Sequence, residues 1–181
     1  MRIIVALNSF HDNQNDNKKR NRIAIVTGSS EGIGKAIAIA FAKSGEYSGV
    51  VINSRKEEEA QRVSDEIKIV GCNSIAIQAD VSKESDCIKL IDHTIKHYGR
   101  IDVLVNNAGI RKDVPFEQTN IEEWYKIIGV DLTGPFVCSR EAIKQMEKQN
   151  DPKGGCIINI SSVHHPNHIM FHMLLQKQEL K

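Results

Sequence analysis

The sequence predicts an α/β fold in which a doubly wound parallel sheet is covered by helices on both faces. Three observations support this class: apolar strands alternate with helical segments, the strands are apolar on both faces, and a glycine-rich segment follows the first strand. Strand–helix–strand units of this spacing require right-handed crossovers, which make consecutive strands parallel. With 181 residues, the chain is long enough for one domain.

The first strand and the first helix flank the glycine-rich segment. A β-branched run predicts the strand at 22–27, and apolar residues at every fourth position from Ile33 to Phe41 predict the helix. A second apolar run predicts a strand at 49–54, and a charged helix follows at 56–70.

The second half of the chain continues the alternation. Apolar runs predict strands at 73–79, 101–105 and 156–160, which brings the sheet to about five strands. Between the first two of these, residues 88–98 carry an apolar helical face. A long helix is predicted at 122–148, and a Gly-Pro dipeptide inside it indicates a kink or break.

Composition divides the chain into three segments. Residues 11–22 are polar and cannot bury themselves, so we predict a disordered N-terminal extension at 1–21. Its first ten residues are either a stray strand or the product of translation that starts upstream of the domain, and we favour the second interpretation. The domain itself is expected at 22–163, and an aberrant tail at 164–181.

Charge and cysteine content exclude several classes of function. The chain has 24 Lys and Arg against 23 Asp and Glu, a net charge of +1, so nothing favours nucleic acid or an anionic membrane as a partner. No apolar run is long enough for a membrane span or a signal peptide. The four cysteines form no C-x-x-C pair, so we expect buried thiols, no metal site and a cytoplasmic location.

The glycine-rich segment has the spacing of a dinucleotide-binding loop. Gly28 permits a tight turn, Gly32 allows close backbone approach, and Gly34 lets the helix pack near the strand. The amides and positive dipole end of the helix then face a pyrophosphate. Because the loop lies between a strand and a helix, it predicts a Rossmann-like nucleotide site.

The residues after the second strand indicate which nucleotide binds. An NAD site usually has a carboxylate here for the ribose 2′-hydroxyl, but the first acid in this chain is Glu57. Arg55 can pair with a 2′-phosphate in fork geometry. The alternative is that Arg55 is only a solvated residue at the start of a helix. We therefore predict NADP as cofactor, with NAD possible.

Four motifs occur in the order typical of one enzyme family. They are the glycine loop, Asp80-Val81, Asn-Asn-Ala-Gly at 106–109 and Ile-Ser-Ser at 160–162. From about residue 20 to 163, the chain resembles the short-chain dehydrogenase/reductase family. The strings VINSRKEEE, DLTGPFVCSREAIK and INISSVH are most similar to its glucose 1-dehydrogenase branch.

The resemblance implies a cofactor site and a reaction. The reaction is hydride transfer between NADP or NAD and a small secondary alcohol or carbonyl, such as a sugar. The family forms homo-oligomers, and the long helix at 122–148 is the analogous face. Asp80 and Val81 would hold the adenine. The full set of implied cofactor-binding residues is Gly28, Ser30, Gly32, Ile33, Gly34, Arg55, Asp80, Val81, Asn107, Ala108 and Gly109.

The implied catalytic residues are incomplete. The family uses Asn, Ser, Tyr and Lys; Ser162 matches the serine that binds the substrate oxygen, and Asp131 stands at the asparagine position. Asp131 adds a negative charge and removes the amide donor. If Lys177 is the family lysine, the tyrosine position is Met173, which cannot transfer a proton.

The usual spacing from Ser162 gives a different alignment with the same outcome. It places the tyrosine and lysine positions at Leu175 and Glu179, so the general acid is missing here too. Residues 172–180 can be encoded by a string that, shifted by two bases, translates to Tyr-Ala-Ala-Ser-Lys-Ala-Gly-Ile, the family's catalytic segment. We therefore hypothesise that the tail from about Pro166 is a frameshifted form of an ordinary dehydrogenase sequence.

Three alternatives remain for the chain as written. It is a non-catalytic nucleotide-binding module, an active reductase with His172 or Tyr125 as substitute acid, or a truncated product that does not fold. The resemblance implies that the family's last strands are missing, so the sheet is incomplete and the strand at 156–160 is predicted to be an exposed apolar edge. A domain with such an edge is expected to aggregate or to depend on partners. The histidines at 164–172 have no cysteine or carboxylate beside them, so we do not interpret them as a metal site.

Overall fold

The computed structural model describes residues 3–6, 21–110, 116–150 and 153–161. The strands of this part are β1 (Ile3–Ala6), β2 (Arg22–Val26), β3 (Tyr47–Ser54), β4 (Asn73–Gln78), β5 (Val103–Asn106) and β6 (Cys156–Ile160). The α-helices are α1 (Gly32–Lys43), α2 (Glu57–Ile69), α3 (Glu84–Tyr98), α4 (Ile121–Ile128) and α5 (Gly134–Met146).

The strands form one sheet in the order β1-β6-β5-β2-β3-β4. Strands β2 to β6 are parallel to one another, which confirms the predicted doubly wound α/β fold with five parallel strands. The chain proceeds from β2 towards β4 on one side and returns to β5 and β6 on the other. The strand order therefore reverses between β2 and β5, where ligands bind in open α/β sheets.

The core has two layers because both faces of the sheet are covered. Along β2, Ile23 and Ile25 belong to the cluster beneath α3 and α5, whereas Ala24 and Val26 belong to the cluster beneath α1 and α2. This alternation follows from the two-residue period of a strand. All four cysteines are buried free thiols, as the sequence predicts. In the described ranges, no helix has the length and apolar character of a membrane span.

Strand β1 lies in the N-terminal segment, for whose first ten residues the sequence left a stray strand as one of two alternatives. Residues 3–6 pair antiparallel with β6, from Ile3 opposite Ile160 to Ala6 opposite Ile157. Strand β6 is therefore not the exposed edge that the sequence predicts. An edge strand exposes unpaired backbone groups, and β1 satisfies those of β6. Residues 7–20 and the tail at 162–181 lie outside the described part.

The predicted long helix contains a change of helix type. Helices α4 and α5 are joined by a π-helical segment at Gly129–Thr133, immediately before the Gly-Pro dipeptide. A Cβ on Gly134 would lie 2.5 Å from the Val81 carbonyl oxygen, so α5 can approach the β4–α3 connection only because this residue is glycine.

A second close approach involves Tyr98, at the end of α3. A Cβ on Gly49 would lie 2.7 Å from the Tyr98 ring, so the strand leaves room for the aromatic side chain. The Tyr98 hydroxyl is buried and finds no hydrogen-bond partner among the described residues. Burial disfavours the phenolate and raises the pKa of Tyr98 to about 12, from an ordinary value of 10.0.

We expect Tyr98→Phe to leave the free energy of unfolding at pH 7 unchanged or to raise it by up to about 1 kcal/mol, because it removes an unpaired buried hydroxyl. The unfolded tyrosine ionises above pH 10 while the folded one stays neutral, so wild-type stability falls between pH 10 and pH 12. Urea unfolding at pH 7, 9 and 11 should show a smaller fall for the variant. An equal fall in both proteins would contradict this account.

Candidate functional site

The loop between β2 and α1 has the conformation that its glycines predict. Gly28 and Gly32 both have positive φ, 59° and 56°. A Cβ on Gly28 would lie 2.9 Å from the Ala108 Cα atom, so the loop packs directly against the chain after β5. At Gly32, by contrast, the space for a Cβ is open. Gly28 therefore permits the loop to pack against the chain after β5, and Gly32 leaves open space beside the loop.

Thr27 connects the loop to the end of β5. Its buried hydroxyl donates to the Val105 carbonyl oxygen at 3.3 Å and accepts hydrogen bonds from the Asn107 and Ala108 amides, each at 3.0 Å. A single hydroxyl can serve as donor and acceptor in this way. The end of β5 is therefore held against the start of the loop.

The Asn107 side chain faces the loop. Its amide nitrogen donates to the carbonyl oxygens of Thr27 at 2.9 Å and of Gly28 at 3.0 Å. A Cβ on Gly34 would overlap this same amide, so α1 can begin here only with glycine at that position. Asn107 thus braces the loop from behind, a role that the sequence does not predict.

Asn53, at the end of β3, is a second brace that sequence analysis missed. It is 1% exposed, and its Oδ1 atom accepts the Gly28 amide at 3.2 Å. Its Nδ2 atom donates to the carbonyl oxygens of Ile77 and Ala79, at 3.2 Å and 3.0 Å. One side chain therefore joins the loop, β3 and the end of β4. The sequence signal that could have identified Asn53 is its position as a polar residue near the end of the apolar run of β3.

The buried Ser29 completes this attachment. Its amide donates to the Asn53 carbonyl oxygen at 2.9 Å, and its hydroxyl accepts the Asn53 amide at 3.0 Å. The amides of Gly28 and Ser29 are therefore used within the protein. Helix α1 follows without a side-chain cap at Glu31, so its first amides, at 32–34, remain for a ligand.

The two cationic residues after β3, Arg55 and Lys56, differ in whether they form an ion pair. The Lys56 ammonium pairs with the Glu59 carboxylate at 2.7 Å, and Glu59 also accepts the Ser54 hydroxyl at 3.2 Å. The hydrogen bond from Lys56 holds the pKa of the Glu59 carboxyl below its ordinary value. Arg55 is exposed, and within the described residues no carboxylate forms an ion pair with it.

Asp80 and Val81 lie just beyond β4. Two hydrogen bonds from Ser82, at 3.1 Å from its amide and 2.7 Å from its hydroxyl, meet Oδ1 of Asp80. Partial burial opposes ionisation of Asp80, but these bonds and the charges of Lys83 and Arg55 outweigh it, so the pKa falls below its ordinary value. Val81 is buried, and its carbonyl oxygen accepts from the Cys87 thiol at 3.2 Å.

Asp131 lies in the π-helical segment and contacts the chain after β5. Its Oδ1 atom accepts the Ile110 amide at 3.0 Å and lies 3.7 Å from where a Cβ on Gly109 would be. π-Helical turns often occur at functional sites. An asparagine side-chain oxygen can accept the same hydrogen bond, so the family residue and Asp131 share this capacity.

Asn106 forms a further junction that sequence analysis did not predict. Its side-chain amide donates to the Ser139 hydroxyl at 3.0 Å and to Oδ1 of Asn159 at 2.9 Å. These contacts tie β5 to α5 and to β6. The segment that leads to the predicted substrate serine is thereby fixed relative to the glycine loop.

Several predicted site residues cannot be placed. Ser162 and Lys177 lie outside the described residues, as do the alternatives at 172–179 and the histidines from 164 onwards. Tyr125, proposed as a substitute acid, is 66% exposed on α4. In the part of the chain that the structure covers, no cluster of three or more potential metal ligands occurs.

The fold, the glycine loop and the polar braces define a Rossmann-like α/β protein. A model of the short chain dehydrogenase family matches residues 22–172, which is most of the chain. The chain therefore belongs to the short-chain dehydrogenase family.

Individual relatives agree with this assignment. The chain is 43% identical over 143 residues to a 3-oxoacyl-[acyl-carrier-protein] reductase from Synechocystis, covering 78% of this chain and 56% of that protein. It is 39% identical over 143 residues to a reductase of the same name from Staphylococcus epidermidis, covering 79% and 57%. The chain thus spans a little over half the length of these relatives.

A solved structure supports the fold. A protein from Sinorhizobium meliloti assigned as a short-chain alcohol dehydrogenase superposes with a TM-score of 0.69 at 30% identity, over 72% of this chain and 51% of that one. None of these relatives is named a glucose dehydrogenase, so the comparisons support the family and not the sugar-specific branch.

We expect Asn53→Ala to lower the free energy of unfolding by about 2–4 kcal/mol, because it leaves the Gly28 amide and two strand-end carbonyls without their buried partner. The matched control is Asn73→Ala, at an exposed position at the start of β4, which should change stability by less than about 0.5 kcal/mol. Urea unfolding measures both. Equal effects would contradict the bracing role.

Proposed function

We propose that the chain binds a nicotinamide dinucleotide at the β2–α1 loop, with NADP preferred over NAD. The observation that carries this proposal is a loop anchored from behind by Asn53 and Asn107, followed by a helix that begins without a side-chain cap. Uncapped amides and the positive dipole end of α1 stabilise a pyrophosphate. The open space at Gly32 lets a phosphate approach the backbone.

Each group of residues has a proposed part in binding. Gly28 shapes the loop, and Ser30, Gly32, Ile33 and Gly34 offer backbone groups to the pyrophosphate. Asp80 and Val81, at the end of β4, provide the adenine site. Asn107, Ala108 and Gly109, after the end of β5, form a wall along the nicotinamide half.

Arg55 is the proposed determinant of NADP preference. It lies beyond the end of β3, where a 2′-phosphate is read, and the neighbouring Lys56 is already paired with Glu59. A guanidinium binds a phosphate through two parallel hydrogen bonds. Arg55 therefore supplies the charge and the geometry that distinguish NADP from NAD.

We propose hydride transfer between the cofactor and a secondary alcohol or its carbonyl as the family reaction of this site. The bound nicotinamide ring supplies or accepts the hydride. Ser162 is proposed to hold the substrate oxygen, Lys177 to provide a positive charge, and Asp131 to fix the chain at Ile110. The relatives' names favour a 3-oxoacyl group on an acyl-carrier protein as substrate, and the similarity to the glucose 1-dehydrogenase branch favours a sugar.

A second function, nucleotide binding without turnover, is favoured by one observation: neither alignment of the tail contains a tyrosine at the proton-donor position. Loss of a general acid costs about 10²–10⁴-fold in rate. In both cases we propose a small-molecule ligand and a cytoplasmic location. The exposed apolar side chains of Ile121, Tyr125 and Phe136 on α4 and α5 support a homo-oligomer through this face.

We expect Arg55→Ala to raise the Kd for NADPH by about 10- to 30-fold, because a charge-assisted phosphate contact is lost. The Kd for NADH should change less than about threefold. Arg62→Ala, which removes the same charge from an exposed position on α2, is the matched control and should have no effect. Nucleotide fluorescence titration measures all of these. Failure of the wild type to bind either nucleotide would disprove the proposal.

A measurement of turnover distinguishes hydride transfer from nucleotide binding without turnover. We expect NADPH oxidation with acetoacetyl-CoA and NADP reduction with glucose to be at least about 10²-fold slower than for the Synechocystis relative in its preferred direction. A rate comparable with the relative would instead indicate a substitute acid. In that case, His172→Ala and Tyr125→Phe identify which side chain supplies the proton.

A further inference from the structure

The carboxylate of Glu59 binds the side-chain donors on both sides of Arg55. Glu59 lies in the first turn of α2, and its side chain reaches back to the end of β3. Its Oε2 atom accepts the Ser54 hydroxyl at 3.2 Å, and its Oε1 atom accepts the Lys56 ammonium at 2.7 Å. Ser54 and Lys56 are the chain neighbours of Arg55. Both neighbours of the proposed phosphate-binding arginine therefore donate to one internal anion.

Glu59 differs from the two acids that precede it. Glu57 and Glu58 are exposed, and among the described residues neither forms a side-chain hydrogen bond or an ion pair. The Glu59 side chain, by contrast, is 31% exposed. The hydrogen bond from Lys56 lowers the pKa of its carboxyl, so Glu59 is ionised at pH 7. Glu59 is thus the acid of this turn that faces the end of β3.

The other acid near Arg55 does not hold these donors. The charge of Arg55 contributes to the lowered pKa of Asp80, whose Oδ1 atom accepts from Ser82 at 2.7 Å. In the described ranges, no lysine or arginine forms an ion pair with Asp80. The competition for Lys56 therefore comes from Glu59.

A 2′-phosphate at the end of β3 requires the same kind of donor that Glu59 already binds. Hydroxyl and ammonium groups donate to phosphate oxygens as they do to carboxylate oxygens. A second anion beside Glu59 is also repelled by it. The Lys56 side chain is 76% exposed, and exposed ion pairs are weak, so the competition changes affinity by a small factor.

We propose that Glu59 is a specificity-determining residue that limits the preference for NADP over NAD. It holds Lys56 and Ser54 away from the 2′-phosphate, so that Arg55 alone supplies the contact. NADH has a hydroxyl in place of this phosphate and does not compete with the Glu59 carboxylate. This inference rests on the proposed function, because it concerns the same nucleotide site.

Glu59→Gln tests the proposal with little change in shape. The amide oxygen of glutamine still accepts the Ser54 hydroxyl, but the negative charge is lost and Lys56 is released. In nucleotide fluorescence titrations, we expect the Kd for NADPH to fall about three- to fivefold and the Kd for NADH to change less than twofold. The matched control is Glu58→Gln, which removes the same charge in the same turn and should alter both Kd values less than twofold.

A double-mutant cycle identifies Lys56 as the released donor. Lys56→Ala should raise the Kd for NADPH less than twofold in the wild type, where the ammonium is paired with Glu59. In the Glu59→Gln background it should raise this Kd about threefold. A purely structural role of Glu59 would not produce this dependence. Circular dichroism checks that each variant folds.

The outcomes separate this inference from the proposed function. If the wild type binds NADPH, an unchanged or higher Kd in Glu59→Gln overturns the inference alone. Equal gains in Glu59→Gln and Glu58→Gln also overturn it, because the effect then follows net charge and not the contacts of Glu59. If the wild type does not bind NADPH, the proposed function fails and this inference fails with it.

Discussion

Direct backbone contact between the β2–α1 loop and the end of β5 is the constraint on which the site depends. The loop lies against Ala108 because Gly28 has no side chain. That contact buries peptide groups, and Thr27, Asn53 and Asn107 supply their hydrogen-bond partners. The amides left over are those at the start of α1. The proposed phosphate site therefore depends on the way the loop is packed.

The sequence predicts the fold well where the signal extends over a whole element. Five parallel strands and the helices between them follow from apolar runs and helical periodicity, and the glycines predict the loop because few residues tolerate positive φ. Asn53 and Asn107 are different, because a polar residue at a strand end has many possible partners. Their contacts join the loop to β3, β4 and β5, which are far apart in sequence, so only the assembled sheet defines them.

Sequence patterns predict neither the pairing of strand β1 nor the position of the π-helical segment. Four apolar residues at 3–6 are compatible with a strand, but their partner, β6, lies at the opposite end of the chain. The Gly-Pro dipeptide predicts a break, whereas the π-helical turns begin at Gly129 and bring Asp131 to Ile110. The two edges of the sheet consequently differ. Strand β1 pairs with β6 at one edge, whereas no described strand pairs with the outer side of β4 at the other.

The most direct test of the phosphate site is an amide-resolved NMR titration of the full chain with NADPH. If the uncapped amides at the start of α1 bind the pyrophosphate, the resonances of Gly32, Ile33 and Gly34 should show the largest shifts, while the start of β4 at 73–75 and the last turn of α2 stay unchanged. Saturable binding that leaves these three amides unperturbed would contradict the account, because the nucleotide would then be held elsewhere.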